Sequence, residues 1–258
     1  MLVNTQFSGF GAGRGNGFCD SADFDGTNDY MLRGGALTGV VDGKKGIFSC
    51  WVRIDGGDGN SGRLFTSALA ASERIVVART AGNLFQVAAA NSAGAQILNI
   101  FTVGTYTAGA TWRHVLSSWD LGTVGARHIY ITDVSDISVT TFTDDTIDYA
   151  MASPDYAVGA RIDGNATTIF NGCMAELYFN AVDYLDLSVE ANRRKFISSS
   201  LKPVDLGADG STPTGTAPAV YLHLANGEAA ANFATNRGAG GNFTITGTLD
   251  TGSTSPGD

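Results

Sequence analysis

Along most of the chain, apolar and polar residues alternate in short bursts separated by turn formers. The run Gly46-Ile-Phe-Ser-Cys-Trp-Val-Arg-Ile54 alternates in part and stops at Asp55-Gly56-Gly57. Residues 74–78 and 84–88 flank Ala81-Gly82-Asn83, where Gly and Asn tolerate the positive φ of a tight hairpin turn. Further bursts lie at 22–32, 63–67, 96–101, 112–119, 128–132, 138–142, 155–159 and 175–179, with two more at 219–224 and 242–249. A period of two over a few residues marks a strand with one face in a core. About a dozen such strands, spaced by roughly 8–15 residues, predict an all-β antiparallel sandwich or barrel.

One segment breaks the rhythm. Ser188-Val-Glu-Ala-Asn-Arg-Arg-Lys-Phe-Ile197 carries an N-cap residue first and basic residues late, which predicts a short helix over 188–197. Three of the five prolines then fall within 202–218, a stretch with little apolar bulk that reads as a loop. The organisation expected is a Gly-rich arm at 1–18 and one sandwich at 19–200. A C-terminal loop with strands at 201–258 would dock on the sandwich or on a neighbouring subunit.

Composition sharpens this picture. Glycine, at 34 residues, is about 13% of the chain against an average of about 7%. The 25 acidic residues are 21 Asp and 4 Glu, and the 16 basic ones are 12 Arg and 4 Lys. A chain so poor in Glu and Lys is short of helix formers, and its Asp belongs to turns. The net charge of −9, with no basic run longer than two, excludes a nucleic-acid partner. No apolar stretch is long enough to span a bilayer, so no membrane insertion is expected. Residues 1–9 lack the basic and apolar regions of a secretory signal. Cys19, Cys50 and Cys173 have no metal or disulfide spacing and read as free thiols. Gly9-Phe-Gly-Ala-Gly-Arg-Gly15 superficially matches a dinucleotide loop, but no helical pattern follows it.

Several motifs, in order, resemble the laminin G-like, concanavalin A-like jelly-roll superfamily. Phe24-Asp-Gly-Thr-Asn-Asp-Tyr30 is similar to its opening turn and strand, and Ile47-Phe-Ser-Cys-Trp-Val-Arg53 to a core strand whose Trp packs between sheets. Thr111-Trp-Arg-His-Val115 with His128-Ile-Tyr-Ile-Thr132 is similar to the central antiparallel pair. Phe170-Asn-Gly-Cys-Met-Ala-Glu-Leu-Tyr-Phe-Asn180 and Leu187-Ser-Val-Glu190 resemble the closing block and the helix after it. The resemblance spans about residues 22–198. Pro203-Val-Asp-Leu-Gly-Ala-Asp-Gly-Ser211, Tyr221-Leu222 and 236–244 resemble the C-terminal part of tailed-bacteriophage structural proteins that carry this fold.

Hydrolases of this fold use Glu-x-Asp-x-x-Glu or Glu-x-Asp-x-Glu on one strand, as the resemblance implies. Retention needs carboxylates about 5–5.5 Å apart, and inversion about 6.5–9.5 Å. Glu73, Glu176, Glu190 and Glu228 are all too far apart in sequence for either motif, so no catalytic residue is assigned. Glu176 reads as a solvent-facing or salt-bridged strand residue. His114, His128 and His223 lack a nucleophile pattern and read as structural or surface histidines. The resemblance implies a calcium site at the sandwich rim, and hard oxygen ligands are abundant; Asp25, Asp29, Asp120 and Asp163 are the candidates. Asp25 and Asn28 also suit a turn cap. No cofactor is required; Ca2+ is the candidate ion.

Glycan binding, which the fold implies, needs an exposed aromatic to stack on a sugar. Tyr106, Tyr149, Tyr156 and Tyr184 lie near predicted loops, whereas Trp51, Trp112 and Trp119 sit on strands, where core packing is the default. The function expected is that of a non-enzymatic phage virion structural protein of head or tail, displaying a lectin-like domain that contacts host surface glycans. The alternative is a soluble glycan-binding module, with Ca2+ dependence as one form of it. The partners expected are other virion proteins, further copies of the chain (a trimer would suit a fibre or spike) and cell-surface glycans. The location expected is the virion, after synthesis in the host cytoplasm.

Overall fold

The computed structural model describes residues 19–69, 72–151, 155–162 and 166–258. The Gly-rich stretch 1–18 and Asp163 lie outside the described residues. In chain order, β1 is Ala22–Asp25, β2 Tyr30–Gly34, β3 Lys45–Ile54, β4 Gly62–Leu69, β5 Ser72–Arg79 and β6 Phe85–Ala90. β7 is Gln96–Phe101, β8 Arg113–Asp120, β9 Arg127–Ile131, β10 Val134–Ser135, β11 Ser138–Phe142 and β12 Asp155–Val158. β13 is Arg161–Ile162, β14 Ala166–Thr167, β15 Asn171–Asn180, β16 Val220–Leu222, β17 Thr244–Thr246 and β18 Asp250–Thr251.

Two antiparallel sheets stack face to face. The first runs β10-β9-β8-β3-β15-β1-β18, with β16 paired to the far half of β15. The second runs β11-β7-β6-β5-β4-β12-β2-β17. The chain crosses repeatedly from one sheet to the other, which is the winding of a jelly roll. The predicted hairpin over 74–88 is β5 and β6, with Asn83 at φ 60 in its turn. Among the described residues no helix is long and apolar enough to cross a membrane.

The faces of β3 explain its incomplete alternation. Phe48, Cys50, Val52 and Ile54 point between the sheets, while Ile47, Ser49, Trp51 and Arg53 point to the outer face. That outer face is itself covered, so Ile47 packs there under Leu187, Phe196 and Leu206. The tryptophan between the sheets is Trp119 on the adjacent β8, not Trp51; its Nε1 donates to Tyr149 Oη at 3.0 Å. Gly46 faces it because any Cβ there would sit 2.3 Å from the indole ring. Phe179 links the sheets from β15, 4.8 Å from the Phe65 ring and 5.8 Å from Tyr149. Burial of one such side chain contributes about 1.5–3 kcal/mol. All three cysteines are buried free thiols.

The predicted helix over 188–197 is a single turn, α1, at Glu190–Arg193. Ser188 does not cap it, because its hydroxyl donates to Asp186 Oδ1 at 2.6 Å. The turn ends where Arg193 and Arg194 are drawn to Asp133, at 2.5 and 2.7 Å, and Phe196 and Ile197 turn down onto the first sheet. The C-terminal segment completes both sheets of its own chain. β16 extends β15, β17 flanks β2, and β18 flanks β1.

Glu176 lies at a register shift of β15 against β3, with φ 52. A bulge of this kind adds one residue to a strand and re-aims a side chain. Ala175 packs on the outer side and Leu177 returns to the core. The carboxylate of Glu176 is then buried beneath the C-terminal segment, accepting from Tyr221 Oη at 2.9 Å and hydrogen-bonded to His223 Nδ1.

Candidate functional site

The outer face of the first sheet carries an aromatic cleft of about 340 Å³, lined by Trp51, Trp112, Thr132, Lys202, Thr254 and Asp258. Register places Trp51 of β3 between Ala175 of β15 and His114 of β8. Trp112 immediately precedes β8, so it stands at the strand's mouth and is only half buried. Its Nε1 donates to Thr254 Oγ1 at 3.1 Å. The C-terminal strap forms the opposite wall, with Lys202 Nζ donating to a main-chain oxygen of Asp258.

Charge under the cleft is fixed. The Arg53 guanidinium lies 5.9 Å from the Trp112 ring centroid and grips Asp55 through two bonds of 2.7 Å. Its remaining nitrogen donates to Ser253 Oγ at 3.1 Å and Thr254 Oγ1 at 2.7 Å. The site therefore combines an aromatic wall, several hydroxyls, an ammonium and a carboxylate. That set suits an uncharged polyol with one apolar face.

Trp51 is held from behind. Its ring stacks on His114 at 4.8 Å, and His114 Nε2 is hydrogen-bonded to Ser49 Oγ at 2.8 Å. Burial pushes the imidazole down to about pH 3, only partly offset by Asp133. The folded protein therefore keeps His114 neutral while the unfolded chain takes up a proton near pH 6.5. Its contribution to stability is complete above pH 6.5 and is lost as pH falls toward 3. The loss reaches about 1.4 kcal/mol by pH 5.5. Denaturant titrations of His114→Gln should show a shallower fall in stability between pH 6.5 and 4; parallel curves would remove this group as the cause.

The four tyrosines expected to contact a glycan are not brought together. Tyr149 and Tyr156 are fully buried, so no sugar reaches them. Tyr149 Oη donates to the Lys45 carbonyl and Tyr156 Oη to the Tyr149 carbonyl, because the 143–151 loop tucks under Trp119. Tyr106 is half buried, with its ring against Phe85 and its hydroxyl donating to Asp136 Oδ2 at 2.5 Å. Burial and Asp136 raise its pKa. Tyr184 stacks on His128, and burial and then Asp186 push its hydroxyl up to about 12. Tyr106 and Tyr184 stand at opposite ends of the first sheet, near Ile54 and Ile47 respectively.

The calcium candidates are also dispersed. Asp25 accepts from the backbone N–H of Thr27, Asn28 and Asp29. Asp29 accepts from Thr248 N with one oxygen and Asp25 N with the other. Both carboxylates thus serve as turn caps. Asp120 caps the β8–β9 turn through Gly122 N and Thr123 Oγ1, opposite Lys45. Asp25 sits at the Ile54 end of the sheet, so about 30 Å of β3 separates them. Asp163 is outside the described residues. Among the described residues, Asp23, Asp55 and Cys173 do bring ligand atoms within 4.8 Å of one another, but Arg53 already grips Asp55. Burial and the Asp55 charge raise the Asp23 pKa.

No protein-family model matches the sequence, and no curated protein matches it. Among solved structures, the fold is similar to the native heptameric SAP-like pentraxin of Limulus polyphemus. That match has a TM-score of 0.57 at 12% identity, over 93% of this chain and 98% of that one. It is also similar to a Bacteroides ovatus protein named for carbohydrate binding, with a TM-score of 0.61 at 14% identity over 92% of this chain. This chain spans 60% of that protein's length. The fold is thus a jelly-roll β-sandwich shared with these structures, as the sequence motifs predict.

Proposed function

We propose that this jelly roll is a non-catalytic, lectin-like module that binds a sugar in the Trp51–Trp112 cleft. The observation that carries the reading is the half-exposed Trp112 ring in a cleft of about 340 Å³ with hydroxyls on its opposite wall. An aromatic face covers the C–H side of a pyranose while Thr132, Thr254 and Lys202 address its hydroxyls. The carbohydrate-binding name of the Bacteroides ovatus neighbour supports it. A binding rather than hydrolytic role is supported by the four glutamates, since no two of them share a strand.

A glycan array run with and without chelator tests this. Binding to a defined sugar class is expected, and it should survive chelation, because Asp25, Asp29 and Asp120 already serve as turn caps. Silence across the array would overturn the reading and favour a purely structural role.

For its setting we retain a virion structural protein of head or tail, assembled with other virion proteins and with copies of itself. The support is the resemblance of 203–211 and 236–244 to tailed-phage proteins and the Gly-rich stretch 1–18. Removing residues 1–18 should weaken oligomerisation or particle attachment while the sandwich stays folded; unchanged assembly by light scattering would exclude a docking role for that stretch.

A further inference from the structure

The outer face of the second sheet carries a different constellation. Cross-strand register lines Thr66, Val76, Ala88 and Asn99 in a row across β4, β5, β6 and β7. Thr66, Val76 and Ala88 are themselves buried, and a depression of about 240 Å³ opens over Val76 and Ala88 between Arg63, Glu73, Gln86 and Gln96. Its floor is apolar and shallow, built on Val76 and Ala88.

Its polar groups are tied to one another in a fixed geometry. Gln86 Nε2 donates to Asn99 Oδ1 at 2.9 Å, and Asn99 Nδ2 donates to Gln96 Oε1 at 3.0 Å. This three-amide ladder leaves Gln96 Nε2 to donate at one end and Gln86 Oε1 to accept at the other. At the far side Arg63 grips Glu73 through two bonds of 2.8 Å, Thr66 Oγ1 donates to the same carboxylate, and Arg161 lies 3.8 Å from it. The charges are thus spent within the groove, and what faces outward is oriented amide chemistry on an apolar floor.

We infer that this groove is a second ligand site, for an extended neutral oligosaccharide lying across the strands. Four strands span about 14 Å at their usual spacing, room for several pyranose units in a row and more than a single sugar needs. Preorganised amides match the alternating donors and acceptors of successive hydroxyls without paying to order loose side chains. The groove and the Trp112 cleft lie on opposite sheets, so this inference does not depend on the cleft reading.

Titration calorimetry with neutral hexasaccharides of glucose, xylose and mannose, each beside its monosaccharide and one hexauronate, tests it. At least one neutral hexasaccharide should bind at least tenfold more tightly than its monosaccharide. In a Trp112→Ala background, where the cleft is disabled, adding Gln86→Ala with Asn99→Ala should weaken that binding at least tenfold. Both replaced side chains lie on the outer face, and an unchanged melting curve would show that the sandwich persists. No hexasaccharide binding by the Trp112→Ala protein at millimolar concentration, retention of affinity when the two amide substitutions are added to it, or preference for the hexauronate would each overturn the inference. Chain binding without any array signal mapped to the cleft would leave the groove standing and the cleft reading refuted.

Discussion

Trp112→Ala should weaken sugar binding in the cleft by about thirtyfold or more. Truncation of a tryptophan at the centre of a binding site costs about 2 kcal/mol or more, and 1.4 kcal/mol is tenfold in affinity. The ring is half exposed at the start of β8, outside the core that Trp119 anchors, so its loss should barely shift the melting temperature. Trp112→Phe keeps a flat face but loses the bond to Thr254, and should fall between the two. Calorimetric titration with the best array ligand reads all three proteins. Equal affinity across them would remove the indole from the site and with it the cleft as the place of binding.

Glu176→Ala should be among the most damaging single changes to stability. Its carboxylate serves two buried groups, Tyr221 and His223, from a strained backbone at φ 52. Breaking a buried charged network by removing one member costs about 3–5 kcal/mol. At about 2–4 °C per kcal/mol for a chain of this size, the melting temperature should fall by roughly 10 °C. Tyr221→Phe removes one hydrogen bond and leaves the other, and should cost only about 1 kcal/mol. A double-mutant cycle between the two positions should show coupling well above zero. A loss below 1 kcal/mol for Glu176→Ala would mean that the C-terminal segment does not depend on this contact.

The hairpins were legible because their information is local. Ala81-Gly82-Asn83 specifies its own turn, and the runs over 74–78 and 84–88 lie on either side of it. The sandwich class followed from period and spacing. The pairing of distant strands did not, since nothing near Asp23 signals Asp250. The cleft was hidden for a sharper reason: 112–119 reads as one strand, so core packing was the default for Trp112. The strand in fact begins at Arg113, and that single residue leaves the indole at the rim. Tyr149 misled in the opposite way, as a residue of irregular backbone that is nevertheless fully buried. Glu176 needed the bulge, which no residue type announces. The aspartates were read in the right places, since Asp25 and Asp120 do cap turns, whereas their expected gathering around an ion ignored the length of β3.

The pairing of β1 with β18 has a consequence for how the protein is made. A ribosome adding about 5–20 residues per second delivers β1 first and β18 many seconds later. Through that interval the free edge of β1 is a template for any passing strand, including one from a neighbouring nascent copy. Contacts this far apart in sequence also make folding slow, in the millisecond-to-second range typical of such sandwiches. Crowded polysomes are therefore where this fold is most exposed to mispairing, and that exposure ends only once β18 has been made and has paired with β1.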